Sequence, residues 1–345
     1  MLQFPVTRAP RNPQRSPVTA SRRVGWWGAL GLLLSACSPR PPATAEPIAA
    51  APPCDAPSCP ERPLYGFWGI NGYVSAEGLD DLKARFGLSV FHTATISPEH
   101  ALEAVLPLAR SAGVRVTLRM TGDHVRYTTP EGDFDRDAWE AMLAPWGGSG
   151  VRPYIDDGTL FGHMLLDDIS NFEGRDPDAA DLEEMARYSE ALLPGLMTFV
   201  RQKASAMPTP ASGRYEHVDA VVNQYKAAEG DVEDYAVSEA RRAAALGLGI
   251  INGLNIANGG DGSSAKPGWG EGRYAMSAEE IVRYGAVLAA VPGCGMFLNW
   301  EYDAEERWAS GAVGSDYFDQ SALQRALADV GEQVSARQPV RLSRP

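Results

Sequence analysis

From Leu64 onward, short apolar runs alternate along the chain with longer segments whose apolar residues recur at every third or fourth position. The first pattern is typical of buried strands and the second of amphipathic helices. Leu79, Leu82 and Phe86, for example, follow the helix-starting residue Ser75 at helical spacing. The pattern predicts eight strands, each followed by a helical segment, at residues 64–70, 88–94, 114–120, 160–168, 206–214, 218–225, 248–256 and 295–301.

Capping residues mark several helix boundaries. Ser277 and Glu280 have the spacing of a capping box, which predicts a helix that runs to Ala290. The longest predicted helix spans residues 181–203 and is interrupted around Pro194. Further helices are predicted at residues 75–86, 97–113, 135–143, 232–246 and 320–334.

A regular succession of strands and helices indicates a parallel sheet with both faces covered. Eight such units over residues 64–335 fit a closed (β/α)8 TIM-type barrel. A doubly wound open sheet is the rival, but it usually has a G-x-G-x-x-G turn after its first strand, which Gly69-Ile-Asn-Gly72 does not match. The chain also lacks a P-loop and a G-x-S-x-G sequence. The sequence therefore favours the barrel.

Residues 1–36 have the parts of a secretory signal peptide. They contain five arginines and no acidic residue, and their apolar run, Val24–Leu34, is shorter than the roughly 20 residues of a membrane-spanning helix. Leu34-Ser-Ala-Cys37 resembles the lipobox of bacterial lipoproteins. That resemblance implies that the Cys37 thiol is acylated and holds the protein on a lipid bilayer. The alternatives are an ordinary signal peptide with a chance cysteine and, given the pair Arg22-Arg23, a twin-arginine signal.

Residues 37–63 are rich in proline and alanine, which indicates an extended tether between the lipid and the barrel domain. In the lipoprotein family, an aspartate after the acylated cysteine retains many members at the inner membrane. This chain has Ser38 at that position. The resemblance therefore implies a protein of the cell envelope, with the outer membrane favoured and either its periplasmic or its surface face possible.

The charge of the chain excludes some partners. It contains 31 basic and 44 acidic residues. Five of the basic residues lie in residues 1–36, so the remainder carries 26 basic against 44 acidic residues and a formal net charge of −18. Because nucleic-acid binding needs clustered lysine and arginine, a nucleic-acid partner is not expected. Solubility alone is sufficient to explain the negative charge.

The cysteines and histidines do not indicate a metal site. Cys54 and Cys59 are close enough in the tether for a local disulfide in an oxidising compartment. Cys294 opens an apolar strand and is interpreted as a buried free thiol. His163 lies inside another apolar strand and is interpreted as a hydrogen-bonded core residue. The sequence predicts neither a metal nor a cofactor.

In (β/α)8 barrels the active site lies at the C-terminal ends of the strands. The predicted strand ends carry acids, amides, aromatic rings and one arginine. Because consecutive strand residues point to opposite faces, only one of Asp167 and Asp168 is expected to face the centre. Arg119 and Arg214 are candidates to pair with these acids. The candidate site residues are Trp68, Asn71, His92, Arg119, Asp167, Asp168, Gln224, Tyr225, Asn255, Trp300 and Glu301.

This set of side chains suits a carbohydrate ligand. Indole and phenol faces stack on the C–H faces of sugar rings, and amides and carboxylates bind hydroxyl groups. Two carboxylates across the barrel opening can act as general acid and as base or nucleophile on a glycosidic bond. One of the two must stay protonated near neutral pH, which partial burial beside another acid can achieve.

Two strand segments carry a family resemblance. Residues 162–168 (GHMLLDD) and 297–303 (FLNWEYD) are similar to strands four and eight of (β/α)8 glycoside hydrolases. That resemblance implies a catalytic acid at Asp168 or Asp167 and a sugar-stacking tryptophan at Trp300. The chain departs from the clan with paired glutamates, whose nucleophile lies on strand seven, and from the D-x-x-D-x-D-x-E run of chitinases. Glu301 is therefore the catalytic partner by position alone, with Asp231 as its competitor.

Three functions remain open from the sequence. The leading hypothesis is a glycoside hydrolase that acts on a polysaccharide or glycan. The second is a barrel that binds a glycan without cleaving it, and the third is a hydrolase or lyase that uses a metal held by strand-end carboxylates.

Overall fold

A computed structural model describes residues 63–70, 75–94, 97–268, 272–291, 295–300 and 320–337. No helix of the described part is long and apolar enough to span a bilayer. The predictions outside these ranges concern the signal peptide, Cys37, the tether with Cys54 and Cys59, Asn71, Cys294 and Glu301.

Eight parallel strands close into a barrel in chain order, and β1 pairs with β8 to complete the ring. This confirms the (β/α)8 fold predicted from the alternation of apolar runs and amphipathic segments. The strands are β1 Leu64–Phe67, β2 Val90–Ala94, β3 Arg115–Arg119, β4 Leu160–Asp167, β5 Met197–Arg201, β6 Ala220–Tyr225, β7 Gly249–Leu254 and β8 Met296–Asn299.

Helices surround the strands, and two of them begin at the capping residues named from the sequence. Ser75 caps α1, and Ser277 with Glu280 forms the predicted capping box of α8. A π-helical turn, Ala101–Val105, lies between α2 and α3. The helices are α1 Ala76–Phe86, α2 Pro98–His100, α3 Leu106–Ala112, α4 Arg136–Leu143, α5 Arg152–Asp156, α6 Ala179–Leu192, α7 Val232–Ala245, α8 Ala278–Ala290 and α9 Ser321–Ser335.

The prediction of the fifth strand was wrong. Residues 206–214 form no strand, and the predicted helix of residues 181–203 ends at Leu192. Pro194 and Gly195, whose φ is 85°, turn the chain into β5. A proline after a helix and a glycine in the left-handed region are ordinary helix-ending signals. The interruption therefore marks the end of a helix and the start of a strand.

The barrel interior is packed with side chains, so the strands enclose a core instead of a pore. Phe161, Met164, Met197 and Phe199 are completely buried there, and each such side chain contributes roughly 1.5–3 kcal/mol by leaving water. The larger core lies between the outer face of the strands and the helices. Because the interior is full, only the ends of the barrel can receive a ligand.

His163 belongs to the outer core, as the sequence predicted. Its side chain is completely buried, its Nδ1 lies 2.9 Å from the Oγ of Ser189 on α6, and its ring stacks on Trp139 of α4 with centroids 5.9 Å apart. Burial lowers the pKa of His163 to about 3. The imidazole is therefore neutral in the folded protein at neutral pH.

Candidate active site at the barrel mouth

The C-terminal ends of the strands form an opening, the mouth, to which each strand contributes one inward-facing side chain. Strand alternation identifies these residues: except in β4, which contains a bulge, each follows, at every second position along its strand, the inward-facing residues that fill the barrel interior. Seven of the eight were predicted from the sequence. They are Trp68, His92, Arg119, Asp167, Arg201, Gln224, Asn255 and Trp300.

Trp68 and His92 form the floor of the mouth on the side of β1 and β2. Their ring centroids lie 3.9 Å apart, and the guanidinium of Arg201 lies 5.9 Å from the Trp68 ring. Burial, and then the nearby charges of Arg119 and Arg201, lower the pKa of His92 well below its usual value. Only 6% of Trp68 is exposed, so this indole mainly packs the barrel and offers little area to a ligand.

Asp167 faces the centre of the mouth because β4 contains a bulge. Met164 aligns with the inward residue Phe199, whereas Leu166 aligns with the outward residue Val200. The register shift between them reverses the alternation, so Asp167 aligns with Arg201 and points inward. A β-bulge commonly re-aims a side chain in this way.

The carboxylate of Asp167 is shared by two arginines. Its Oδ2 accepts a hydrogen bond of 2.9 Å from Nη1 of Arg119, and its Oδ1 accepts one from Nε of Arg201. The three side chains are 18–26% exposed. Arg119 therefore has the acid-pairing role that the sequence suggested. Arg214, the other candidate, is exposed just before β6, at the opposite end of the barrel.

Asp168 has a different environment. Its φ is 68°, in the left-handed region that aspartate tolerates better than most residues. Its carboxylate accepts hydrogen bonds from the backbone and hydroxyl of Ser170 and from Gln202. Burial raises the pKa of Asp168, but the bonds with Ser170, the charge of Arg201 and the bond with Gln202 outweigh burial and leave it below its ordinary value. A general acid needs a raised pKa, so Asp168 suits an ionised role.

Gln224 and Asn255 are the amides of the mouth. Their exposed fractions are 6% and 5%, and within the described part of the chain neither amide atom of Gln224 has a hydrogen-bond partner. The same holds for Oδ1 of Asn255 and for Nε of Arg119. Buried polar atoms normally have partners, so these atoms are unsatisfied hydrogen-bonding groups at the mouth.

Tyr225 does not line the mouth. It is adjacent to the inward residue Gln224 and therefore points outward, where its ring packs against Tyr235 of α7 and Tyr284 of α8. Its hydroxyl donates to the carbonyl of Gly230. This arrangement gives Tyr225 a packing role behind the strand.

The remaining candidates are divided between the mouth and other places. Trp300 continues β8, is half-buried and packs against both apolar clusters, which leaves part of its indole accessible. Asp231 is exposed and caps α7, with Oδ1 accepting from the backbone N–H groups of Glu233 and Asp234. Asn71 and Glu301 lie outside the described residues.

Three basic residues near the mouth were missed from the sequence. Arg201 was assigned to a helix, because the five-residue segment Met197–Arg201 follows closely on the amphipathic pattern of α6. Lys203 lies two residues beyond it, and Lys226 directly follows β6. Among the described residues, no group of three or more histidine, cysteine, aspartate or glutamate side chains could hold a metal ion.

Comparisons with known proteins identify the fold. No protein-family model matches the chain, and no curated protein matches its sequence. A solved cellulase–inhibitor complex superposes with a TM-score of 0.52 at 10% identity, covering 78% of this chain and 92% of that one. A Thermobifida fusca endoglucanase Cel5A variant in complex with cellotetraose gives a TM-score of 0.50 at 14% identity, with the same coverages. The domain therefore has a (β/α)8 barrel fold like that of these glycoside hydrolases.

Proposed function

We propose that the barrel domain binds a carbohydrate at its mouth and hydrolyses a glycosidic bond. The observation that carries the proposal is a pair of nearly buried amides: among the described residues, neither amide atom of Gln224 has a hydrogen-bond partner, and Oδ1 of Asn255 has none. An unpaired buried polar group costs about 1–3 kcal/mol. Sugar hydroxyl groups both donate and accept hydrogen bonds, so a glycan can satisfy both ends of an amide. Trp300 beside them offers an indole face for a sugar ring.

The carboxylates suggest how cleavage would be divided. Asp167 faces the centre and is ion-paired with two arginines, so it suits the role of base or nucleophile. Asp168 has a lowered pKa and is engaged with Ser170. We assign the proton-donor role to Glu301 by its sequence position alone, two residues beyond the end of β8, where strand alternation no longer sets the direction of a side chain. The acid assignment to Asp168 or Asp167, implied by family resemblance, is not retained in this proposal.

A barrel that binds a glycan without cleaving it is the second candidate. The specific observation in its favour is that Asp167 and Asp168 both already accept hydrogen bonds from protein groups on their carboxylate oxygens. The two candidates differ in one assay. Release of reducing ends from cellulose, xylan, β-1,3-glucan, pectin and chitin, lost in Glu301→Gln, supports hydrolysis. Binding without release selects the second candidate, and neither binding nor release contradicts both.

Substituting Gln224 by methionine should affect binding and stability in opposite directions. Removing hydrogen bonds from a buried amide to a sugar is expected to weaken binding by about 10- to 100-fold. The free energy of unfolding should stay constant or rise, because an unpaired buried amide is replaced by an apolar chain of similar shape. Titration calorimetry and urea unfolding measure the two effects. The control is Gln333→Met on the exposed face of α9. A loss of stability with unchanged binding would assign Gln224 a structural role.

We also propose that the protein is exported and anchored through an acylated Cys37. The proposal rests on the sequence of residues 1–37, with its basic start, short apolar run and lipobox-like end. Mass spectrometry of the mature N-terminus should show an acylated cysteine, and Cys37→Ser should release the protein from membranes. An unmodified N-terminus at another residue would contradict the anchor and leave the barrel-mouth proposal intact.

A further inference from the structure

Among the described residues, the half-buried side chains at the ends of β3 to β6 have a net charge opposite in sign to that of the chain. The whole chain has a formal net charge of −13. From the last residue of each of the strands β3 to β6 through the fourth residue after it, however, the half-buried charged side chains comprise four cations and three carboxylates. This region therefore has one positive charge in excess. The cations are Arg119, Arg201, Lys203 and Lys226, and the carboxylates are Asp167, Asp168 and Glu229.

Hydrogen bonds and ion pairs account for all but one of these charges. Asp167 pairs with two guanidiniums, and Lys203 lies 2.8 Å from Glu229. Asp168 is bound by Ser170 and Gln202 and lies in the field of Arg201. In the described part of the chain, no carboxylate lies within ion-pairing distance of Lys226. Lys226 is therefore the cation that lacks a matching anion.

The backbone directs Lys226 toward the same side as Gln224. Lys226 has φ −130° and ψ 146°, which is extended conformation. The alternation of β6 therefore continues through it, so Gln224 and Lys226 share the inward face while Tyr225 points outward. Burial lowers the pKa of Lys226, the charge of Glu229 raises it, and the charges of Arg201, Arg273 and Lys203 lower it further. The lysine thus lies among other cations, a costly place for a partly buried charge without an anion.

We infer that the mouth takes an acidic glycan, in which a sugar residue carries a carboxylate that pairs with Lys226 while Gln224 and Asn255 bind neighbouring hydroxyls. This inference rests on the proposed carbohydrate function and names its substrate class. One unmatched ammonium group balances one carboxylate, whereas a phosphate ester would bring up to two negative charges to a region with one positive charge in excess. The substrate class is therefore a uronic acid-containing oligosaccharide or polysaccharide.

Matched pairs of oligosaccharides test the inference. The probes are tetragalacturonate and its carboxyl-reduced form, tetramannuronate and its carboxyl-reduced form, and a xylo-oligosaccharide with and without a glucuronate branch. In at least one pair the acidic member should bind about 10- to 100-fold more tightly, the range for a hydrogen bond that involves charged groups. Its affinity should fall with added salt, because screening weakens a charge pair.

The inference requires that Lys226 causes the preference for the acidic member. In Lys226→Gln the affinity for the acidic member should fall to within about threefold of the affinity for the neutral member, which is a difference of about 0.65 kcal/mol in binding free energy. The affinity for the neutral member should stay constant. The matched control is Arg214→Gln, which removes the same charge from the opposite end of the barrel and should leave the preference unchanged. A preference that persists in Lys226→Gln would overturn the inference.

The outcomes separate this inference from the function on which it rests. Equal binding of the acidic and neutral members of each pair, in the wild-type domain, would overturn the acidic substrate class but support carbohydrate binding. Failure of all six oligosaccharides to bind would overturn the acidic substrate class, and the proposed function would fall with it only if cellulose, β-1,3-glucan and chitin also failed to bind. A shift of the free energy of unfolding in Lys226→Gln is measured separately, and removal of an unmatched cation is not expected to destabilise the fold.

Discussion

Asp167→Asn is expected to lower the free energy of unfolding by about 2–4 kcal/mol and to slow any hydrolysis strongly. Removing one member of a buried ion pair costs roughly 3–5 kcal/mol, and the partial exposure of these side chains reduces that figure. Asparagine has one carbonyl oxygen and one NH2 group in place of the two carboxylate oxygens, so it can accept a hydrogen bond from only one of the two guanidiniums. The other guanidinium would face the NH2 group, which is itself a hydrogen-bond donor. Urea unfolding followed by circular dichroism measures the loss.

The same substitution should have a catalytic effect if Asp167 is the base or nucleophile. The rate of reducing-end release should then fall by about 10²–10⁴-fold, the usual contribution of a positioned acid or base. The measurement is made at a temperature where the variant is fully folded. Normal hydrolysis by folded Asp167→Asn would remove Asp167 from the mechanism, whatever its effect on stability.

Two further variants test whether the stability effect comes from unpaired guanidiniums. Asp168→Asn is the matched control, since asparagine also tolerates the left-handed backbone and retains an acceptor for Ser170; a loss below about 1 kcal/mol is expected. Arg201→Gln in the Asp167→Asn background should recover part of the lost stability, because it removes a guanidinium that has lost its hydrogen-bond acceptor. Additive losses in that double variant would contradict the ion-pair explanation.

Much of the fold could be predicted from the period of the apolar pattern, but the fifth strand could not. The segment Met197–Arg201 contains only five residues and follows directly on the amphipathic pattern of α6. Short apolar runs are compatible with either a helix or a strand by periodicity alone. Its neighbours in the barrel decide the outcome, because β5 supplies hydrogen-bonding partners for both β4 and β6.

The candidate site was predictable in composition but not in orientation. Alternation correctly limits each adjacent pair to one inward member, and applied to Gln224 and Tyr225 it would have excluded one of them. It could not choose between Asp167 and Asp168, because the choice depends on the bulge between Met164 and Leu166. A bulge is a property of strand pairing and has no fixed sequence signal here. Arg201 was missed for a related reason, since its strand was not recognised.

The stability of the protein should fall between pH 6.5 and pH 4.5, and His163 should account for much of the fall. Burial holds the pKa of His163 at about 3 in the folded state, against roughly 6.5 in the unfolded chain. Below pH 6.5 the unfolded chain therefore binds a proton that the folded protein does not bind. The stabilisation is fully present above pH 6.5 and is lost as the pH falls toward 3. At pH 4.5 the loss amounts to about 2–3 kcal/mol.

His163→Gln isolates this contribution. Glutamine does not titrate in this range and retains a group that can bond with Ser189, but it loses the stacking on Trp139. We expect the variant to be less stable than wild type by about 1 kcal/mol at pH 7, and to lose less stability than wild type on acidification. Part of the pH dependence should remain in the variant, because burial lowers the pKa of His92 in the same direction. The control is His100→Gln at an exposed position. Equal acid sensitivity of wild type and His163→Gln would show that the folded protein admits a proton to this site, which a fully buried imidazole against Trp139 should not allow.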